Sequence, residues 1–236
     1  MKFSKLLIVA LLALPACAES VESDDVFTDG IYAELRAEAT ENGTHATVTL
    51  RVGGSSSNTY VMLTGDDSLS VTANGETEEM SPQNFGDRYH YTADLDATSE
   101  DTEVVFRFTR VIDDGAPDSH CILPRPMNID VPVEGDNFSR LSDDVVITWD
   151  TSGSSRPISL SVSGDCFSGV TESFEDDPGT YTIPAGTMPS NADPATACVA
   201  TVELSRTNGG ALDPAFGEGG SVTCSQTRTI TFRSDP

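Results

Sequence analysis

The stretch Ala46-Thr47-Val48-Thr49-Leu50-Arg51-Val52 decides the fold class, because apolar and polar residues alternate along it. Successive side chains of a β-strand point to opposite faces, so Val48, Leu50 and Val52 would share one face. The turn-forming residues Glu41-Asn42-Gly43 separate this stretch from residues 31–39, which precede it. The order of strand, turn and strand predicts a β-hairpin with one buried face.

The same alternation recurs through the rest of the N-terminal half. Asn74-Gly75 marks a second tight hairpin, since Asn and Gly tolerate positive φ. The longest apolar strand is predicted over residues 103–112, with Val104, Phe106 and Phe108 on one face. About seven short strands with regularly spaced turns are typical of an antiparallel β-sandwich of immunoglobulin size. We therefore predict a first sandwich domain over residues 30–112.

A second set of strands follows a segment in which the alternation stops. Residues 113–127 are rich in Asp, Gly and Pro, which predicts an interdomain connector stiffened by proline. Beyond it, residues 145–149 form an apolar run that predicts a buried strand, and residues 158–162 alternate between apolar residues and serine. Residues 128–236 are predicted to form a second sandwich, which makes the chain all-β with two tandem antiparallel β-sandwich domains.

The first residues have the composition of an export signal. Lys2 and Lys5 precede an apolar run from Leu6 to Leu14, which is shorter than the roughly 20 residues of a membrane-spanning helix. The run ends in Leu14-Pro15-Ala16-Cys17, which resembles the lipobox of bacterial lipoproteins. The resemblance implies removal of residues 1–16 and attachment of lipid, palmitate included, to Cys17. It also implies a location in the cell envelope.

Two readings of this cleavage site stay open. Pro15 stands where lipoproteins usually carry a small or β-branched residue. Ala16-Cys17-Ala18 also fits an A-x-A site, and cleavage after Ala18 would release a soluble, secreted protein. By resemblance to lipoprotein sorting rules, the lack of aspartate directly after Cys17 implies the outer membrane. Residues 17–29 are small, polar and acidic, which predicts a flexible tether.

The charge of the chain excludes whole classes of partner. Loss of Lys2 and Lys5 leaves 11 basic residues, all arginine, against 38 acidic ones, a formal net charge of −27. Nucleic acid would be repelled, because the phosphate backbone is itself anionic and no basic stripe is present. An anionic membrane would be repelled as well, so the predicted membrane contact is through covalent lipid. The remaining predicted partner is an unidentified protein or glycan.

The two sets of strands resemble the immunoglobulin-like and fibronectin-type modules of bacterial surface lipoproteins. The resemblance covers most of residues 30–236 and is one of architecture. The Cys–Trp–Cys arrangement of antibody domains is absent, because Trp149 precedes Cys166 and neither cysteine stands where that arrangement requires it. It implies a structural, display or binding role without catalysis.

Four cysteines follow Cys17, and an even number in an exported chain predicts disulfides. In the two-sandwich arrangement, Cys166 ends an early strand and Cys198 begins its expected antiparallel neighbour. Cys121 precedes the first strand of the second domain and Cys224 begins the last, and such strands often run parallel. The predicted pairs are therefore Cys166–Cys198 and Cys121–Cys224.

Candidate catalytic and metal sites are few. The histidines, His45, His90 and His120, have no accompanying G-x-S-x-G or H-E-x-x-H motif. Three aspartates of the predicted connector, Asp113, Asp114 and Asp118, offer oxygen ligands for calcium, although turn chemistry explains the same residues. In the long loop 208–220, Leu212 and Phe216 would fold back as a plug on the sandwich or present a binding surface, and the plug is the favoured prediction.

The sequence therefore predicts a lipid-anchored, non-enzymatic envelope protein with a structural, display or binding role. A soluble secreted binding module is the first alternative and follows from cleavage after Ala18. A metal-dependent hydrolase is the second, and no catalytic constellation in the sequence supports it.

Overall fold

A computed structural model describes residues 18–151, 153, 157–192 and 195–236, so the lipobox with Cys17 lies outside the described residues. In these ranges the regular structure consists of eighteen strands and two single-turn 3₁₀ helices, Ser23–Asp25 and Thr28–Gly30. The all-β class is thereby confirmed. No helix in the described part of the chain has the length and hydrophobicity needed to cross a bilayer.

The strands of the N-terminal half are β1 (Glu19–Glu22), β2 (Ile31–Ala39), β3 (Thr44–Val52), β4 (Thr59–Met62), β5 (Ser68–Ala73), β6 (Glu76–Glu79), β7 (Ser81–Phe85), β8 (Arg88–Leu95), β9 (Glu103–Thr109) and β10 (Ala116–Ile122). Those of the C-terminal half are β11 (Ile129–Val131), β12 (Asn137–Ser139), β13 (Val145–Trp149), β14 (Ile158–Ser163), β15 (Val170–Phe174), β16 (Thr180–Ile183), β17 (Cys198–Gly209) and β18 (Gly220–Asp235).

One large sheet runs through the whole molecule, in the order β1-β4-β3-β2-β18-β17-β14-β15, with β7, β8 and β12 paired at its borders. Two small sheets, β10-β9-β5-β6 and β11-β13-β16, face different parts of it. The first hydrophobic core combines β2, β3 and β4 with β5, β9 and β10. The second combines β14, β17 and the C-terminal half of β18 with β13 and β16. The molecule is thus two β-sandwiches built on one continuous sheet.

The alternation that predicted the first hairpin follows from this burial. β2 and β3 pair antiparallel from Ile31↔Val52 to Ala39↔Thr44. Ala46, Val48 and Leu50 are fully buried, whereas Thr47 and Thr49 between them are half-buried on the outer face. A strand with one face in the core must alternate in this way, which is why the sequence predicted it.

The hairpin of β17 and β18 joins the two sandwiches. The two strands pair over twelve positions, from Cys198↔Ser234 to Gly209↔Thr223. Its tip end lies in the first sandwich, where residues 220–226 run parallel to β2. Its other end lies in the second sandwich, where Val202, Leu204 and Phe232 are buried. We call this element the shared hairpin.

The structure corrects three predicted boundaries. The predicted connector, residues 113–127, contains β10, which pairs with β9 and buries Cys121 in the first core. Three residues of the predicted second domain, 128–236, belong to that same first core, namely Phe216, Val222 and Cys224. The predicted flexible tether, residues 17–29, is docked from Glu19 onward, because β1 pairs parallel with β4 and its residue Val21 packs against the core.

Both predicted disulfides are present. Cys121–Cys224 joins β10 to β18 across the first core, with the Cα atoms 5.7 Å apart. Cys166–Cys198 joins the end of the β14 segment to the start of β17, also with a Cα separation of 5.7 Å. The predicted plug is present too, since Phe216 is 4% exposed and its ring lies 6.2 Å from that of Phe108. It closes the first sandwich, whereas the sequence assigned the loop to the second.

Candidate functional site

The three histidines, for which the sequence shows no catalytic motif, lie on three different strands, His45 on β3, His90 on β8 and His120 on β10. His45 Nδ1 lies 2.7 Å from Asp94 Oδ1, and His120 Nδ1 lies 3.5 Å from Asp118 Oδ1. Both pairs are open to solvent, where an ion pair contributes little to stability and gains nothing from a low dielectric.

The three aspartates proposed for calcium make contacts within the protein. Asp113 Oδ2 accepts a hydrogen bond from the backbone N–H of Thr28 at 2.6 Å, and the carbonyl of Asp114 accepts one from the Thr28 hydroxyl at 2.5 Å. The backbone N–H of Asp118 donates to Asp213 Oδ2 at 2.9 Å. Among the described residues, no three His, Cys, Asp or Glu side chains converge on a point where a metal ion could be held.

A buried arginine holds residues 23–30 across one end of the first sandwich, and we call this segment the N-terminal cap. The Arg110 side chain is 0% exposed and donates to the carbonyls of Ser23 at 2.5 Å and Val26 at 2.8 Å. Its Nε donates to Asp67 Oδ2 at 3.1 Å. Because burying a guanidinium is costly unless it is paired and hydrogen-bonded, these contacts fix the backbone of the cap firmly.

The electrostatics of the cap act on Asp113. The hydrogen bond from the Thr28 N–H, aided by the N–H of Asp114, the Thr28 hydroxyl and the charge of Arg110, holds the pKa of Asp113 below its ordinary value of 3.8. Partial desolvation of the carboxyl opposes this shift of the pKa. The ionised form is therefore the one that the cap stabilises.

Replacing Asp113 with asparagine, which keeps an oxygen acceptor and removes the charge, is expected to lower the free energy of unfolding at neutral pH. A carboxyl whose folded-state pKa is lowered adds stability above its unfolded pKa, and this stability is lost as the pH falls through the folded pKa. The difference in the free energy of unfolding between wild type and Asp113→Asn should therefore be largest at pH 7 and shrink below about pH 4. Urea denaturation across this range measures it, and a difference independent of pH would contradict the assignment.

The outer side of the cap carries an exposed aromatic ring that lines two clefts. Phe27 is 73% exposed, although Thr28 beside it is buried. One cleft, of about 270 Å³, is also lined by Asp29, Asp113 and Asp114, together with Pro214 and Ala215. The other, of about 90 Å³, is also lined by Asp24, Asp25, Asp113 and Ile112.

We refer to Phe27, Ile112 and these five aspartates as the cap surface. Its members in residues 17–29 were missed, because the composition of that segment predicts a flexible tether, and Asp113 and Asp114 were predicted only as calcium ligands. The apolar pair Val26-Phe27 in an otherwise acidic stretch was the signal that could have revealed it.

The cap surface and the start of the described chain lie at the same end of the molecule. The backbone N–H of Glu19 donates to the carbonyl of Asn58 at 3.0 Å, which places the start of β1 beside the loop between β3 and β4. Across the sheet, Thr59 pairs with Val52, and Val52 pairs with Ile31, the residue after the cap. β18 runs parallel to β2 away from this end and continues into the second sandwich.

No family model matches the chain, and no curated protein matches it in sequence. Among solved structures it is similar to the FN1–FN3 domains of chicken CNTN1, at 13% identity and a TM-score of 0.25, over 85% of this chain and 65% of that one. It is also similar to CBD12 from CALX1.2, at 9% identity and a TM-score of 0.24, over 86% of this chain and 99% of that one. Similarity at this level carries no argument about activity or partners.

Proposed function

We propose that the protein is a lipid-anchored protein of the cell envelope, on the outer membrane, that binds a partner and does not catalyse a reaction. The observation that carries this proposal is the position of β1, which begins two residues after Cys17 and is docked at the end of the first sandwich remote from the second. Lipid on Cys17 would therefore hold the first sandwich against the membrane without a flexible spacer. The second sandwich would point away from it.

The shared hairpin supports a display role, since it fixes the distance between the membrane end of the molecule and the second sandwich. At roughly 3.3 Å per residue, the 16 residues of β18 span about 50 Å. Both sandwiches contribute core residues to this one strand, among them Cys224 in the first and Phe232 in the second. A hinge between the sandwiches would require breaking its pairing with β17.

The buried ion pairs are placed for structure and not for catalysis. Arg110 pairs with Asp67, and Arg206 pairs with Asp177 at 2.6 Å, each pair at most 2% exposed in its side chains. These pairs fasten loops and strands to one another and are closed to a substrate. Acid–base catalysis requires a group that can reach the proton it moves.

The test is the intact mass of the mature protein extracted from membranes with detergent. We expect a mass that begins at Cys17 and includes acyl chains. Replacing Cys17 with alanine should abolish the lipid and move the protein out of the membrane fraction. Replacing the exposed Ser20 of β1 with alanine is the matched control and should change neither.

A lipid-free wild-type mass that begins at Glu19 would contradict the anchor. It would instead support a soluble secreted binding module, the second candidate, which the A-x-A pattern of residues 16–18 favours.

A further inference from the structure

We propose that the cap surface is the docking site for a basic segment of a partner protein, one in which an apolar side chain lies beside Lys or Arg. This inference goes beyond the proposed function. With lipid on Cys17 the cap surface would lie at the membrane end of the molecule, so the partner segment would reach it from beside the bilayer. The inference rests on three properties of the cap surface, which are its exposed apolar groups, its uncompensated negative charge and the size of its clefts.

The exposed apolar groups are held in place. Phe27 is 73% and Ile112 is 62% exposed, so two large apolar side chains face water beside the same cleft. The backbone of Phe27 is fixed, because its carbonyl accepts a hydrogen bond from the N–H of Gly30 at 3.0 Å and Thr28 is anchored to Asp113 and Asp114. A ring presented on an ordered backbone loses little conformational entropy on binding, which favours affinity.

The charge of the cap surface is negative and is not compensated from within. Asp24, Asp25, Asp29 and Asp114 are exposed to solvent. Arg110, the cation of the cap, has a fully buried side chain whose donors are directed at Asp67, Asp113 and backbone carbonyls. Exposed carboxylates attract a cation by their charge, and the face of an exposed aromatic ring attracts it as well. The complementary partner is therefore cationic.

The clefts favour a peptide over other cationic ligands. Their volumes, about 270 and 90 Å³, lie at or below the lower end of the range of small-molecule pockets, which begins at roughly 300 Å³. Phe27 lines both clefts, so an extended segment could place one side chain in each and pack an apolar group on the ring. An anionic bilayer or nucleic acid would be repelled by the same aspartates.

Peptide binding by the mature protein, as the cell produces it, tests the proposal. The probe is a synthetic peptide of alternating arginine and leucine, and its companion has serine in place of leucine. We expect the arginine–leucine peptide to bind more tightly at physiological salt, and Phe27→Ser to weaken that binding about tenfold, the equivalent of burying one aromatic side chain. The double variant D24N/D25N should weaken it as well and reduce its dependence on salt.

The matched control is Phe85→Ser. Phe85 is 86% exposed on β7, the outer strand of a hairpin at the border of the large sheet, so its loss removes an exposed ring of the same kind elsewhere. We expect this variant to bind the peptide as the wild type does. Unchanged melting temperatures in both phenylalanine variants will show that folding is intact, because neither ring is buried.

Three outcomes would overturn the proposal. The first is that the two peptides bind with equal affinity, or that Phe27→Ser binds the arginine–leucine peptide as tightly as the wild type does. Either result would indicate unspecific attraction to an acidic protein. The second is no binding at about 1 mM peptide. The third is attachment of the wild type to uncharged lipid vesicles that is lost in Phe27→Ser while peptide binding is retained, which would assign the surface to a bilayer.

Discussion

Replacing Arg206 with alanine is expected to lower the free energy of unfolding by about 3–5 kcal/mol, the usual cost of breaking a buried ion pair from one side. The guanidinium is fully buried and lies 2.6 Å from Asp177 Oδ2. It also donates to the carbonyls of Arg125 at 2.8 Å and Asp150 at 3.1 Å. Its loss leaves two carbonyls without these donors and removes the charge that faces the buried Asp177 carboxylate.

Asp177 of this ion pair also binds Trp149, the single tryptophan, whose fluorescence can report unfolding. The Trp149 indole N–H donates to Asp177 Oδ1 at 2.7 Å, so β17, the turn before β16 and β13 meet in one network. Guanidinium denaturation followed by Trp149 fluorescence measures the free energy of unfolding. Replacing Arg233 with alanine is the matched control, because its pair with Asp235 is exposed and should contribute no more than about 1 kcal/mol.

The variant Arg206→Met combined with Asp177→Asn separates charge from packing. Asparagine keeps an acceptor for the Trp149 N–H, and methionine fills part of the space of the arginine side chain. The double variant should recover a large part of the stability lost in Arg206→Ala, since no uncompensated buried charge remains. A loss in Arg206→Ala as small as that in the Arg233 control would contradict a structural role for the pair.

Removing the disulfide Cys121–Cys224 by replacing both cysteines with alanine is expected to cost about 4.7 kcal/mol, because the bridge closes a loop of 103 residues. The same substitution at Cys166–Cys198 opens a loop of only 32 residues and should cost about 3.7 kcal/mol. The first bridge also joins β10 to the shared hairpin, so its loss loosens the attachment of one sheet to the other.

The two double variants serve as controls for each other, since each removes two sulfurs and leaves the other bridge intact. Equilibrium denaturation of both, without reductant, gives the two free energies. If the variant lacking Cys166–Cys198 proved the less stable of the two, unfolded-chain entropy would not be the main source of the stabilisation.

The sequence predicted the strands whose burial shows in their own alternation. β3 and β14 are examples, since Leu50 in the first and Leu160 in the second are fully buried between polar neighbours. It missed β10, because Asp118 and His120 interrupt the apolar pattern and the register of the strand shifts between Ala116 and Ser119. A shifted register removes the strict period of two on which the prediction depends.

The remaining errors arose from contacts between residues far apart in the chain. The cap is ordered by Arg110, which donates to the carbonyl of Val26, 84 residues earlier in the chain. The composition of residues 17–29 does not reveal this contact and therefore predicted a flexible tether. The alternation of Val222 and Cys224 predicts a strand with one buried face, but it does not say which core that face enters. The parallel pairing of β18 with β2 decides this, and no local pattern encodes it.

The shared hairpin also sets the order in which the chain can fold after its synthesis. The ribosome makes residues 31–124 long before residues 216–226, yet both belong to the first core. The half that is made first therefore cannot complete its core until the last strand has been released, whereas most multidomain chains fold domain by domain from the N-terminus. Contacts over such sequence distances slow folding, so we expect the first core to close only after synthesis has ended.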